Sequence, residues 1–287
     1  MMNKTVAACL IAACLSAPAL AAEPVKVWET PGFANPESVL WDGAKKGLYV
    51  SNINGGPGDK DGNGYISKLN AEGKVVVEKW ATGLDAPKGM ALFKGRLYVS
   101  DIDRLVVIDT ATGKVTKTYP APGAKFLNDV TVDDKGVVYV SDMLDNVIWA
   151  LNGGKFDKWL TDTQLENPNG LKAEQGRLLV ASWGPMTGKG FDTAKPGALK
   201  AITLPDKMIR DLTPGFGTLD GLEPDGKGGY VVSDWVHGGV FSVSRQGKAA
   251  KLLTLGQGSA DIGVLPEQKL LLVPMMMDGV VAAYRLP

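Results

Sequence analysis

Cysteine and histidine are almost absent from this chain: Cys9 and Cys14 are its only cysteines, both within the first 21 residues, and His237 is its single histidine among 287 residues. Downstream of residue 21 this excludes disulfide staples, thiol catalysis and zinc sites of the Cys/His kind. An excess of charge is also lacking, since 31 basic residues balance 31 acidic ones, and no nucleic acid or anionic membrane surface is indicated as a partner. No apolar run beyond the N-terminus reaches the ~20 residues of a membrane span. Leu270 to Met277 reads as a buried strand with its adjoining loop, and no helix of useful length is predicted anywhere.

Residues 1–21 read as a secretory signal peptide that is removed. Lys4 supplies the positive n-region, Thr5 to Leu15 the short apolar stretch, and Ala19-Leu20-Ala21 the small-residue cleavage site. Ile11-Ala12-Ala13-Cys14 offers the alternative of a lipoprotein box anchored at Cys14, but it leaves a very short apolar region. The expectation is a periplasmic or secreted protein in which residues 22–287 form one domain. Without Lys4, 30 basic residues stand against 31 acidic, a net charge of −1. Such a domain is held by its core alone, which suffices at this size, where roughly three quarters of the unfolded surface is buried.

What the chain does have is a repeat. Six times a small or apolar residue, often proline, introduces one polar residue and then a short apolar strand: Pro36-Glu37, Pro87-Lys88, Leu127-Asn128, Pro168-Asn169, Leu219-Asp220 and Ala260-Asp261. The intervals are 51, 40, 41, 51 and 41 residues. The second strand of each unit repeats as well, as in Gly47-Leu-Tyr-Val-Ser-Asn52, Arg96-Leu-Tyr-Val-Ser-Asp101 and Gly229-Tyr-Val-Val-Ser-Asp234. A period of this size in Val/Leu/Tyr-rich strands points to an all-β, six-bladed β-propeller of four-stranded blades. Only three strands come after Asp261 (262–265, 269–273 and 280–286), and a lone strand around Trp28 precedes the first anchor. The N-terminal strand is therefore expected to complete the last blade and close the ring. Both long intervals contain Gly-rich insertions between second and third strands, residues 53–64 and 184–197, where recognition loops are often found.

Starts of innermost strands face the central channel, so the anchors form a ring at one mouth. Glu37, Asn128, Asn169 and Asp220 supply hard oxygen ligands suited to Ca²⁺ or a similar divalent ion. The other reading is that short polar residues cap strand starts, with Glu37 and Lys88 an ion pair. A Ser-His-Asp triad would need His237, which lies in a turn remote from the anchors. The Asn or Asp after the second strand (Asn52, Asp101, Asp142, Asp234) repeats in most blades, which assigns it a structural role toward turn amides. Trp28, Trp80 and Trp159 recur at outer-strand positions, as inter-blade packing. Asp59-Lys-Asp-Gly-Asn-Gly-Tyr-Ile66 matches the start of an EF-hand loop, but position 12 is Asn70 and no helix flanks it, so it reads as a hairpin turn.

Asn35-Pro-Glu-Ser-Val-Leu-Trp-Asp42, Leu127-Asn-Asp129 with Asp133-Asp-Lys-Gly136, Pro168-Asn-Gly-Leu171 and Leu219-Asp-Gly-Leu222 resemble, in order, the signature segments of the regucalcin/gluconolactonase/luciferin-regenerating-enzyme family. The resemblance covers residues 22–287 at the level of blade order. It implies a six-bladed propeller with one divalent cation, commonly calcium, in the channel. It also implies the metal ligands Glu37, Asn169 and Asp220, Asn128 at metal or substrate, Asp220 as general base, and hydrolysis of a lactone. The family's lactonases usually carry an arginine two residues before the third-blade asparagine. Phe126 stands there instead, which favours a less polar lactone or ester over a sugar lactone; Lys88, Asp129, Phe126 and Asp261 are the further candidate substrate contacts. The rival reading is a non-catalytic binding propeller similar to NHL-repeat proteins, which would use its loops to hold a partner or ligand.

Overall fold

The computed structural model describes residues 23–287; the leader, its cleavage site and Cys14 lie outside them. Val25–Pro31 is β1. Blade 1 comprises β2 (Pro36–Asp42), β3 (Gly47–Asn52), β4 (Gly64–Asn70) and β5 (Val75–Leu84). Blade 2 comprises β6 (Pro87–Phe93), β7 (Arg96–Asp101), β8 (Arg104–Asp109) and β9 (Val115–Pro120). Blade 3 comprises β10 (Leu127–Val132), β11 (Val138–Asp142), β12 (Val147–Asn152) and β13 (Lys155–Thr161), and blade 4 β14 (Pro168–Glu174), β15 (Arg177–Ser182), β16 (Leu199–Thr203) and β17 (Ile209–Asp211). Blade 5 holds β18 (Leu219–Pro224), β19 (Tyr230–Asp234), β20 (Gly239–Val243) and β21 (Ala249–Thr254), and blade 6 holds β22 (Gly263–Leu265), β23 (Leu270–Met275) and β24 (Val280–Arg285).

The last blade is completed by β1, which runs antiparallel to β24 from Val25 opposite Arg285 to Pro31 opposite Val280. Ring closure thus joins the two ends of the described chain, as the strand count required. The core lies between blades. Leu48 and Val50 of blade 1 meet Leu270 and Leu272 of blade 6, with Phe33 and half-buried Trp28 against them. Trp80 packs on Tyr49 at 4.9 Å between ring centroids, and Trp159 on Tyr139 at 5.2 Å.

Each inner strand of blades 1 to 5 carries the same bulge directly after its anchor. In blade 1, Pro36 pairs with Asn52 but Val39 with Val50, so that Glu37 and Ser38 together oppose Ser51. The shift recurs at Pro87/Met90, Leu127/Val130, Pro168/Leu171 and Leu219/Leu222. The repeated serine fills it: Ser141 Oγ accepts from Asp129 N (2.9 Å) and donates to Asn169 O of the next blade (2.7 Å), and Ser233 Oγ does the same with Gly221 N (2.7 Å) and Ala260 O (2.8 Å). The Asn or Asp after that serine accepts from the segment entering the anchor: Asn52 from Ala34 N, Asp101 from Ala86 N, Asp142 from Phe126 N and Asp234 from Thr218 N. Those side chains are therefore structural. Gly170 and Gly221 let neighbouring inner strands approach, since a Cβ there would lie 2.0 Å from Asp220 O and 2.3 Å from Ile262 N.

Candidate functional site

The anchor side chains converge as the repeat predicts. Glu37, Lys88, Asn128, Asn169 and Asp220, each from a different blade, line one cavity of about 300 Å³ at a mouth of the channel. All five are at most 5% exposed. The two insertions contribute Ile53, Gly55 and Pro57 from one side and Phe191 from the other. The remaining wall is largely apolar: Phe126, Met143, Trp183, Trp235, Met276 and Met277.

In blade 6 the register differs from the sequence reading. Ser259 bridges Met275 just as Pro36 bridges Asn52, so Ala260, not Asp261, stands at the anchor position. Asp261 is one step further, level with Ser38, whose hydroxyl donates to it, and with Asp129. Lying one step further along the inner strand than the anchors, at the second position of the bulge in blade 3 and its counterpart in blade 6, Asp129 and Asp261 do not join the first cavity. They line a second one of about 240 Å³, deeper in the channel, together with the Lys172–Glu223 ion pair (2.6 Å). Asp129 is engaged there by the amides of Val130 and Leu171.

The electrostatics of the first cavity are those of unmatched charge. Burial, then the neighbouring charges of Asp220 and Asp261, push the Glu37 carboxyl well above the usual carboxylate range, and Lys88 only partly offsets this. Asp220 is raised chiefly by burial and then by Asp261, with the nearby Asn169 amide acting against the shift. Glu37 Oε2, Asn128 Oδ1 and Asn169 Oδ1 are buried with no hydrogen-bond partner. Asn128 Nδ2 reaches only Met143 Sδ, at 3.5 Å. Buried polar atoms are seldom left so, and these three oxygens, lining one cavity with the Asp220 carboxyl, form an oxygen-rich cradle that suits a hard cation. Among the described residues no three His, Cys, Asp or Glu side chains gather as a metal group, so an ion here depends on the two amides.

Lys88 is not paired with Glu37. Its ammonium donates to Pro57 O (2.8 Å) and Ala86 O (3.0 Å) and sits 4.4 Å from the centre of the Phe126 ring; burial lowers its pKa to about 8. Residues 59–63 form a turn, in agreement with the sequence: Asp59 accepts from Gly56 N, Asp61 from Asn63 N, and Gly64 onward is strand. His237 pairs with Asp234 at 3.0 Å outside the cavity. Phe126 and the 184–197 insertion, both expected from the sequence, form part of the cavity wall; Met143, Trp183, Trp235, Met276 and Met277 are further members that the sequence reading did not assign to a site. One signal was the residue just after each Ser-Asp or Ser-Asn, where Ile53, Met143 and Trp235 stand in blades 1, 3 and 5.

Fold and site together define a six-bladed propeller with a polar cluster at the floor of an apolar mouth. No family model matches the chain, and no curated protein is significantly similar to it in sequence. Solved structures are similar in three dimensions. A gluconolactonase from Xanthomonas campestris, itself a six-bladed propeller, aligns with a TM-score of 0.70 at 15% identity over 93% of this chain and 95% of its own. A streptogramin B lyase aligns with a TM-score of 0.62 at 12% identity over 92% and 97%. The likeness shows a shared propeller fold, in agreement with the family that the ordered motifs resemble.

Proposed function

We propose that this chain is an exported, metal-dependent hydrolase of the gluconolactonase-like type, acting on a lactone or ester. Glu37, Asn169 and Asp220 would hold one divalent cation, Ca²⁺ first among candidates, with Asn128 on the ion or on substrate. The observation that supports this is the set of orphaned oxygens from Glu37, Asn128 and Asn169 facing one cavity beside a second buried carboxylate. Left without a partner, such groups cost about 1–3 kcal/mol each, and a binding scaffold has no need to gather them.

A bound ion supplies electrophilic polarisation of the acyl oxygen and acidifies water. The protein supplies the rest. Asp220 takes a proton as the water oxygen bonds to the acyl carbon, and returns it to the alkoxide released when the acyl C–O bond breaks. The apolar wall excludes bulk water and holds the substrate body, and Phe126 favours a less polar substrate than a sugar lactone.

Turnover of a lactone and ester panel should vanish with chelator, return with a divalent ion, and fall by about 10² to 10⁴ in Asp220→Asn, which keeps an oxygen ligand but loses the base. Apolar or aromatic lactones should outperform gluconolactone. In ¹⁸O-water a hydrolase leaves one label in the product, whereas elimination, the chemistry named for the lyase of similar fold, leaves none. Protein that binds the ion yet turns over nothing above buffer is a binding propeller instead. Export rests on the leader at residues 1–21: periplasmic material should begin at Ala22 or Glu23 by intact mass, and a diacylated species beginning at Cys14 would contradict it.

A further inference from the structure

Lys88 is the one cationic side chain lining the first cavity among the described residues, and the hydrolysis derived above does not use it. It is 1% exposed. Burying an ammonium is costly unless its donors are met, and Lys88 has three. Two go to Pro57 O and Ala86 O, and no acceptor among the described residues takes the third. No carboxylate lies within ion-pair distance of it. The ammonium rests instead on the Phe126 ring, and from that ring an aromatic wall continues: Phe126 to Phe191 at 6.4 Å, Phe191 to Trp183 at 5.8 Å, and Trp183 to Trp235 at 6.0 Å. Trp183 Nε1 donates to Phe191 O at 3.0 Å, which pins the 184–197 insertion against this wall. One cation with a free donor therefore stands at the end of a continuous apolar and aromatic surface, in a cavity at the small end of the roughly 300–1,000 Å³ of ligand sites.

We propose that Lys88 is the anion-binding group of this cavity, and that its substrates are lactones or esters whose acyl part carries an apolar or aromatic body. The assignment rests on the hydrolase reading and deepens it. The body lies on the Phe126–Phe191–Trp183 wall, and an acyl oxygen accepts the third Lys88 donor. As water adds and the acyl C–O bond breaks, one water proton leaves on the alcohol and the other passes from the acid to solvent, so the acyl oxygens gain the negative charge of the carboxylate and the contact to Lys88 strengthens along the reaction.

The bland role for Lys88 is a brace that ties the 53–64 insertion to blade 2 through Pro57 O. Two ligands of one shape separate the roles: phenylacetate, anionic, and phenylacetamide, neutral, each titrated against the fluorescence of the cavity tryptophans in Ca²⁺-containing buffer. Wild type should prefer phenylacetate. Lys88→Met should weaken phenylacetate on the order of tenfold or more, the worth of one charge-assisted hydrogen bond, while leaving phenylacetamide within about twofold, and Lys88→Arg should recover part of the loss. A brace moves both ligands together. An equal fall for both, no change for either, or a wild type that binds neither overturns the proposal. Should Lys88→Met not fold, absence of a wild-type preference for phenylacetate overturns it alone. Turnover of esters without that preference sinks the Lys88 assignment only; the preference without turnover sinks the hydrolase reading only.

Discussion

Asp261 gives the most quantitative prediction, because its environment and the direction of its effect are both defined. It faces the deeper channel cavity. Burial, reinforced by Glu223, raises its pKa from 3.8 to about 7, against the pull of the Ser38 hydroxyl and Lys172. In the unfolded chain it ionises near 3.8. Between those values the folded protein keeps a proton that the unfolded chain has released, so its contribution to stability falls as pH rises through about 4 to 7 and is flat above that. About three pKa units at about 1.4 kcal/mol each set a ceiling of about 4 kcal/mol. Asp261 is only part-buried, and its partial exposure reduces the expected effect to about 2 kcal/mol. Asn keeps the shape and an acceptor for Ser38 without the charge. Asp261→Asn should therefore be about 2 kcal/mol more stable than wild type at pH 8 and nearly equal at about pH 3, below the unfolded pKa. Urea unfolding of chelator-treated protein at both pH values measures this. Asp261 also helps to raise Glu37, Asp129 and Asp220, so removing its charge relieves these carboxyls as well and adds to the variant's advantage at high pH with the same sign. A variant no more stable at pH 8, or an advantage that does not change with pH, would refute the reasoning.

Deleting residues 23–30 should destabilise the whole ring by about 3 kcal/mol or more, because it removes Trp28 from the core between blades 1 and 6 and strips the partner from β24; a thermal midpoint left unchanged would count against closure by β1. Asp59→Ala with Asp61→Ala should leave Ca²⁺ affinity nearly intact in calorimetric titration, whereas Asp220→Ala should abolish it. The turn carboxylates are already engaged by their own loop, and the reverse ordering would move the site to the 53–64 insertion.

The repeat made blade number, strand order and closure legible, since anchors and Tyr-Val-Ser-Asp strands recur wherever the backbone makes the same bulge. Glu37, Asn128, Asn169 and Asp220 were legible for the same reason. Asp261 was harder to place: aligned by residue type it matched the anchors, but the blade 6 register makes it the counterpart of Ser38 and Asp129, one residue further along the inner strand, on the deeper cavity. Much of the apolar wall was hidden differently. Trp183, Phe191 and Met277 lie outside the strands in loops of unequal length, and only the folded path of those loops brings them beside Phe126 over the polar floor. Lys88 was visible as an anchor, but its carbonyl partners and its seat on Phe126 depend on where residues 53–64 travel.

Whether the orphaned oxygens of the channel mouth hold a divalent cation decides the functional proposal. Anomalous diffraction from crystals of purified protein grown with Mn²⁺ or Ca²⁺ tests it most directly. One ion is expected, ligated by Glu37, Asn169 and Asp220, with Asn128 beside it. An ion bound only in the 59–63 turn, or a channel mouth without an ion at saturating metal, would contradict it.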